Sequence, residues 1–286
     1  MSRRLTGNRL AVVAFLVILG TVGAALFAPY LPLSDPDTVD TPNRLRPPLT
    51  PGHWLGTDEF GRDLLARLVW GARVSLVAGA ATAAAAMLIG VVLGVFGGYY
   101  TGWSETVIMR LTDILMAFPY ILLAIAIVAG LGPGLRNAMI AITIVGFPIY
   151  TRLVRGIVLS VREREFVEAA RALGSTDRLI LVRHIVPQLL SPVIVAFSLD
   201  VGAKILATAG LSFLGLGTQP PTADWGSMLA TGRQFVILSP HVVLLPGLAI
   251  FVIVLALNLV GDALRDLLDP RTYPGRHCQT LLKGRY

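Results

Sequence analysis

The sequence predicts an all-α integral membrane protein with six transmembrane helices. Hydrophobic residues make up 55% of the 286 residues and charged residues only 14%, whereas charged residues are about a quarter of an average soluble domain. The mean hydropathy is +0.72. Apolar runs long enough to cross a bilayer recur along the chain, separated by shorter polar stretches.

Six apolar segments come close to the roughly 20 residues that a transmembrane helix needs. We place them at residues 10–28, 74–96, 107–130, 137–153, 189–211 and 242–258. Pro148 interrupts the fourth segment. The first segment also resembles a cleavable signal peptide, because arginines precede an apolar run, but the run is long for that purpose and we expect it to be retained.

The distribution of Lys and Arg predicts the orientation. If both termini are cytoplasmic, the inside segments hold more than twice as many Lys and Arg residues as the outside segments, as the positive-inside rule requires. Topology therefore accounts for the net charge of +7, and no basic face indicates nucleic-acid binding.

This orientation divides the chain into five parts. They are a cytoplasmic N-terminus (1–9), the first helix (10–28), an external Pro-rich segment (29–73), a core domain with five helices (74–270) and a cytoplasmic tail (271–286). The prolines between 29 and 51 favour an extended linker. A Gly/Pro-rich stretch at 215–232 is expected to be an external loop.

A charged cytoplasmic loop at 155–187 lies between the fourth and fifth segments. Phe166, Ala169, Ala170 and Leu173 recur at the spacing of one helix face and predict a short amphipathic helix. Gly174 should end it, and Ser175 is the predicted N-cap of a second short helix that ends before Pro187. Such a projecting knuckle suits the docking of another protein; the alternative is an ordinary solvated connection.

Three motifs in this chain resemble a known family. Glu168-Ala169-Ala170, followed by Gly174 and by residues 184–187, is similar to the "EAA" loop of binding-protein-dependent ABC importer permeases. That family usually has Ile and Leu where this chain has His184 and Val186, and His at the first of these positions is common in the peptide branch. Residues 53–63 with 71–76, and residues 211–217 with 219–221 and 224–226, resemble the "C"-type permeases of the dipeptide, oligopeptide and nickel branch.

The resemblance implies a type I ABC importer permease fold with a coupling helix in the loop at 163–187. It implies a second, homologous permease, two ATPase subunits that bind ATP and Mg, an external substrate-binding protein, and the bacterial inner membrane. Peptides are the implied cargo, with nickel, glutathione or haem as alternatives. It assigns ATPase docking to eight residues: Glu165, Glu168, Ala169, Ala170, Arg171, Leu173, Gly174 and Asp177.

Charges inside membrane segments are costly and therefore mark candidate functional residues. Arg110 and Asp113 are spaced i, i+3, and Asp200 and Lys204 are spaced i, i+4, so each set can pair with itself. These pairs either fix helix packing or line the translocation path.

No enzymatic site is predicted in this chain. The sequence has no G-x-x-x-x-G-K-[S/T] phosphate-binding loop, and Ser75, His53 and Asp58 are a weak candidate triad. We expect no cofactor or metal here, and a single cysteine, Cys278, provides no cysteine cluster. A secondary transporter working without ATPases and a structural membrane protein are the competing interpretations, and neither needs the loop at 155–187.

Overall fold

The protein is described here by a computed structural model in which residues 9–268 are placed. Within that range it consists of α-helices joined by loops: α1 (Arg9–Phe27), α2 (Leu64–Tyr99), α3 (Trp103–Met116), α4 (Tyr120–Leu131), α5 (Leu135–Arg162), α6 (Glu165–Ala172), α7 (Asp177–Ile180), α8 (Val186–Phe213), α9 (Trp225–Gly232) and α10 (His241–Leu268). A π-helical turn, Leu181–Ile185, joins α7 to α8. The expectations for residues 1–8 and 269–286 lie outside the described residues.

The predicted all-α membrane fold is confirmed. Five helical stretches are long and apolar enough to cross a membrane, namely α1, α2, α5, the continuous α7–α8 stretch and α10. The pair α3 and α4 meets the same criterion together, but the two helices are bent by 95° relative to each other. The third predicted segment, 107–130, is therefore a broken helix, because Pro119 sits at the break in an extended conformation (ψ 126°) and has no N–H to continue the helix.

Pro148 does not interrupt α5, which continues beyond the predicted limit of residue 153 to Arg162. Proline is tolerated inside a transmembrane helix when neighbouring helices support the backbone, and here the support comes from α2. Gly94 of α2 lies so close to α5 that an added Cβ would stand 2.7 Å from the Thr151 carbonyl oxygen. The small residues of α2 therefore pack closely against α5.

The helix α2 is longer than predicted, with 36 residues from Leu64 to Tyr99. Residues 64–73, which we assigned to the external segment, are its first turns. Asp63 explains this start, because its side chain accepts a hydrogen bond from the Ala66 N–H at 2.8 Å and so caps the helix. At 1.5 Å per residue α2 is about 54 Å long, well beyond the thickness of a bilayer core.

The external segment is folded onto α2 and is not an extended linker. The Arg46 N–H donates to Thr57 Oγ1 at 2.8 Å, and Arg67 of α2 donates to the Pro36 carbonyl at 2.9 Å. The stretch at 215–232 is likewise not only a loop, since it contains α9. Ser75 of α2 donates to Asp224 at 2.7 Å, and Asp224 caps α9 by accepting from the Ser227 N–H.

Candidate coupling surface and buried charge cluster

The helix α6 follows α5 after only two residues, and it ends where the sequence predicts. Gly174 has a φ of +81°, which favours glycine because it has no side chain to clash. The Ser175 N–H bonds to the Ala170 carbonyl and the Gly174 N–H to the Arg171 carbonyl, which is the Schellman arrangement for a helix end. Thr176, and not the predicted Ser175, occupies the N-cap position of α7.

The prediction that the second short helix ends before Pro187 is wrong. The chain passes from α7 through the π-helical turn into α8 without a break. The Val186 N–H bonds to the Leu181 carbonyl, five residues back. This wider turn lets the helix continue past Pro187, whose missing N–H falls in the first turn of α8, where a proline is tolerated.

The buried face of α6 differs from the predicted one. Val167 and Ala170 are buried in one cluster with residues of α5, α7 and α8, whereas Phe166, Ala169 and Leu173 are exposed. Leu173 is 86% exposed. Of the predicted stripe, only Ala170 faces inward. It lies three residues after Val167, on the same side of the helix, and these two residues form the buried face.

Beside α6, α7 and the following turn leave Leu179 and Val182 exposed. Glu165, Glu168 and Arg171 of α6 are exposed as well. The result is an apolar patch at the end of the helix bundle, formed by Phe166, Ala169, Leu173, Leu179 and Val182 and flanked by charges. We call these five residues the coupling patch.

Tyr99, which sequence reasoning missed, fixes this surface to α2. Its hydroxyl donates to Asp177 Oδ1 at 2.6 Å, so the last residue of α2 is tied to the first residue of α7. Asp177, predicted to contact an ATPase, therefore also holds in place the elbow formed by α6 and α7, residues 165–180. The available signal was the position of Tyr99 at the end of an apolar run, which alone does not identify its partner.

Asp200 and Lys204 pair as predicted, with 3.4 Å between Lys204 Nζ and Asp200 Oδ1. Lys204 is 2% exposed. Its Nζ also donates to the Tyr120 hydroxyl at 3.1 Å, and the Tyr150 hydroxyl donates to Asp200 at 3.0 Å. The structure thus adds Tyr120 and Tyr150 to the pair. Together the four residues join α4, α5 and α8 in what we call the buried cluster, in which Lys204 and Tyr150 are buried and Tyr120 and Asp200 are partly buried.

The expected pair of Arg110 with Asp113 is not formed within residues 9–268. Asp113 instead accepts from Arg152 of α5 at 2.6 Å. Glu105, also on α3, pairs with Arg155 of α5. The i, i+3 spacing permitted the first pair, but α5 presents two arginines along the same face of α3, and sequence spacing within one helix cannot reveal them.

The residues considered for a triad lie in separate interactions. His53 contacts Asp63 at 2.9 Å, Ser75 donates to Asp224, and Asp58 accepts from Arg62 at 2.6 Å. These contacts secure the external segment, and they do not bring Ser75, His53 and Asp58 together.

Comparison with known proteins assigns the chain to a family. Residues 90–273 match the family described as the binding-protein-dependent transport system inner membrane component. Residues 1–48 match the N-terminal transmembrane domain of oligopeptide transport permease C. The two matches together account for the first helix and most of the remaining chain.

Relatives of known name are similar over nearly the whole length. The chain is 48% identical to the dipeptide transport system permease protein DppC of Alkalihalophilus pseudofirmus over 94% of this chain and 88% of that protein. It is 45% identical to the glutathione transport system permease protein GsiD of Pectobacterium atrosepticum over 94% of this chain and 89% of that one. The GsiD protein of Escherichia coli O157:H7 is 44% identical over the same shares.

Among solved structures, a chain of the MetNI methionine ABC transporter in an inward-facing conformation superposes with a TM-score of 0.60. The superposition covers 72% of this chain and 98% of that one at 18% sequence identity, so it supports the fold alone. With the family match over the core helices and these close relatives, the chain belongs to the inner membrane components of binding-protein-dependent transport systems, the permeases of ABC importers.

Proposed function

We propose that this permease forms a translocation path with a second, homologous permease and imports short peptides, driven by ATP hydrolysis in two partner ATPase subunits. An external substrate-binding protein delivers the cargo, and ATP and Mg bind to the ATPases. The names of the relatives support peptide cargo, and they include glutathione, itself a small peptide.

The ATPases bind at the coupling patch. The exposed apolar side chains of this surface are the observation that supports this location. Exposing Leu173 and Phe166 to water is unfavourable, and an ordinary connecting loop has no need of it. A docking site for another protein requires such exposed apolar side chains. The opposite face of α6 is anchored in the protein by Val167 and Ala170. A force applied to the coupling patch therefore reaches α5 directly, and it reaches α8 through α7, which continues into it.

Charges around the coupling patch set its orientation against a partner. Glu165 and Glu168 lie on one side and Arg171 lies one turn further along α6. Charged groups at the rim of an interface fix register more than they add affinity. We therefore infer that these three residues orient the ATPase while the apolar side chains bind it.

The proposed location is the cytoplasmic membrane of a bacterium, with both termini and the coupling patch in the cytoplasm. The Lys and Arg distribution supports this orientation. An ATP-independent secondary transporter explains neither the coupling patch nor the family membership.

Substitution of Leu173 tests the docking proposal. Leu173→Asp changes a side chain that is 86% exposed, so the fold should be retained. We expect the ATPases to bind about tenfold more weakly, the loss typical of a central interface residue. Co-purification of the ATPases with the permease and ATP-driven uptake of a radiolabelled dipeptide into proteoliposomes measure the effect.

Leu49→Asp is the matched control, because Leu49 is a leucine of similar exposure, 79%, in the external segment. It should leave ATPase binding unchanged. Equal behaviour of the two variants would argue against docking at α6. Uptake that persists in the complete absence of ATPase subunits would contradict the ATP-driven mechanism itself.

The proposed translocation path includes Arg110, Asp113, Asp200 and Lys204. In the single chain Lys204 is enclosed, whereas Arg110 and Asp113 are exposed on α3. Asp200→Asn combined with Lys204→Met tests whether this pair is needed for transport. Normal uptake with normal ATP coupling in that variant would remove the pair from the path.

A further inference from the structure

The helices α3 and α4 are held in the protein in different ways. In α4, Ala124 and Val128 are buried against Ala138, Ala141 and Ile142 of α5. In α3, the only buried residue is Thr112. The helix α4 is thus part of the packed core, while α3 lies at its surface, and elements with few buried apolar contacts are the ones that move most readily.

Leu115, which packs against the cluster of Phe147 and Tyr150 near the end of α3, and two ion pairs attach α3 to α5. Glu105 pairs with Arg155, and Asp113 pairs with Arg152, with the latter two side chains about half exposed. An exposed ion pair such as Asp113 with Arg152 contributes at most about 1 kcal/mol. Glu105 and Arg155 are more shielded, with side chains 24% and 28% exposed, so this second pair is the firmer link between α3 and α5.

The buried cluster lies at the bend between α3 and α4. Tyr120 is the first residue of α4, directly after the break, and Lys204 Nζ both donates to its hydroxyl and lies 5.0 Å from the centre of its ring. Gly146 of α5 makes room for this ammonium group, because an added Cβ would stand 2.6 Å from Nζ. Removing one partner of a buried ion pair is strongly destabilising, and the contacts of this cluster tie the first residue of α4 to α5 and α8.

The two arginines that hold α3 are close to the coupling patch. Arg155 lies seven residues before Arg162, the last residue of α5, which is about 10 Å along the helix. Only Glu163 and Arg164 separate α5 from α6. A displacement of α6 is therefore transmitted to the arginines through one continuous helix.

We propose that α3 swings about residues 117–119 when α6 and α5 move, and that Tyr120, Tyr150, Asp200 and Lys204 form the pivot that keeps α4 in place. Glu105 and Arg155, with Asp113 and Arg152, transmit the motion of α5 to α3. The inference rests on the proposed function, and it makes Tyr120, Tyr150, Glu105 and Arg155 positioning residues for transport.

Two distances measured by spin labels test the swing. In the complete complex with Cys278→Ser, one pair of labels at Val107→Cys and Leu206→Cys reports α3 against α8. A second pair at Leu122→Cys and Leu206→Cys reports α4 against α8. All three positions are exposed in the chain. Between the nucleotide-free state and the state trapped with ATP and vanadate, the first distance should change and the second should not.

Substitution of Tyr120 distinguishes a pivot from a contact that only stabilises the fold, because only a pivot predicts a change in the movement of α4. Tyr120→Phe retains the ring and removes the hydroxyl that binds Lys204, so the distance between α4 and α8 should become nucleotide-dependent. Tyr30→Phe is the control, since Tyr30 is exposed and outside the cluster. A fixed α4–α8 distance in Tyr120→Phe would overturn the pivot, and concerted movement of α3 and α4 in the unsubstituted complex would overturn the swing.

Substitution of the acidic residues of the two ion pairs tests whether these pairs transmit the motion of α5 to α3. Glu105→Gln and Asp113→Asn should each reduce the change in the α3–α8 distance and lower the peptide transported per ATP about fivefold, a typical coupling effect. Arg152→Lys should retain most of the coupling. Unchanged coupling in both acidic variants would contradict the inference. Absence of ATP-driven dipeptide uptake in the unsubstituted complex would instead contradict the proposed function, so the two failures are distinguishable.

Discussion

Gly90, Gly94 and Gly98 determine how closely α2 and α5 can approach. Each lies directly against the backbone or a Cβ atom of α5. In lipid, helix association depends on such close contact, because apolar side chains gain little by leaving the bilayer. Small residues along a transmembrane helix are typical of a packing face, but their spacing alone does not identify α5 as the helix that the face contacts.

A methyl group at Gly94 should therefore destabilise the protein. In Gly94→Ala the new Cβ would stand 2.7 Å from both the Thr151 carbonyl oxygen and Val154 Cβ, and overpacking of this kind costs about 1–3 kcal/mol. We expect a lower unfolding temperature of the purified protein in detergent, measured by the loss of monodisperse material on heating.

Gly20→Ala is the matched control, since no atom lies within 4 Å of a Cβ added there. It should be neutral or slightly stabilising, because alanine is the better helix former. Equal loss of stability in both variants would show that the contact at Gly94 is not the cause.

At the scale of elements, prolines show what the sequence can and cannot predict. Pro148, Pro192 and Pro246 lie inside continuous helices, whereas Pro119 lies at a 95° break. The local chemistry of the four residues is the same. Only the packing of neighbouring helices decides whether a helix continues through a proline, so the break in the third segment could not be distinguished from the others.

The elbow of α6 and α7 could be predicted only in part, because some of its features also depend on the packing of distant residues. Gly174 ends α6 by a local rule and could be identified from the sequence. The buried face of α6 and the contact between Tyr99 and Asp177 depend on residues far apart in the chain, 78 positions for the latter. Local patterns therefore located the loop that contains the coupling patch, but they did not predict which of its side chains face outward.

The bond between Tyr99 and Asp177 should matter for ATPase binding. Tyr99→Phe and Asp177→Ala should each weaken binding of the ATPase subunits to the permease about fivefold, because a hydrogen bond to a charged group contributes roughly 1.5–3 kcal/mol and this one is only partly shielded. The double variant should be no weaker than the single ones, since all three lack the same contact. Titration of the ATPases against the immobilised permease measures these affinities.

Tyr100→Phe serves as the control, because the neighbouring hydroxyl has no hydrogen-bond partner among residues 9–268 while the ring packs on Tyr99. Additive losses in the double variant would mean that Asp177 contacts the ATPase independently of Tyr99.

At the scale of the whole molecule, the orientation in the membrane is testable. Trp54 in the external segment is 72% exposed, and Leu173 lies in the coupling patch at the other end of α2. In a Cys278→Ser background, Trp54→Cys should react with a membrane-impermeant maleimide on intact spheroplasts. Leu173→Cys should react only after the membrane is made permeable. The opposite pattern would reverse the proposed topology.

The length of α2 has a mechanical consequence. This one continuous helix contains Arg67, which binds the external segment, and Ser75, which binds Asp224 at the start of α9. It ends at Tyr99, which binds the elbow. If such a rod of about 54 Å tilts by about 10° around its midpoint, its two ends move about 5 Å in opposite directions. In the proposed mechanism, movement of the elbow toward the ATPases would therefore displace the external end of α2 in the opposite direction.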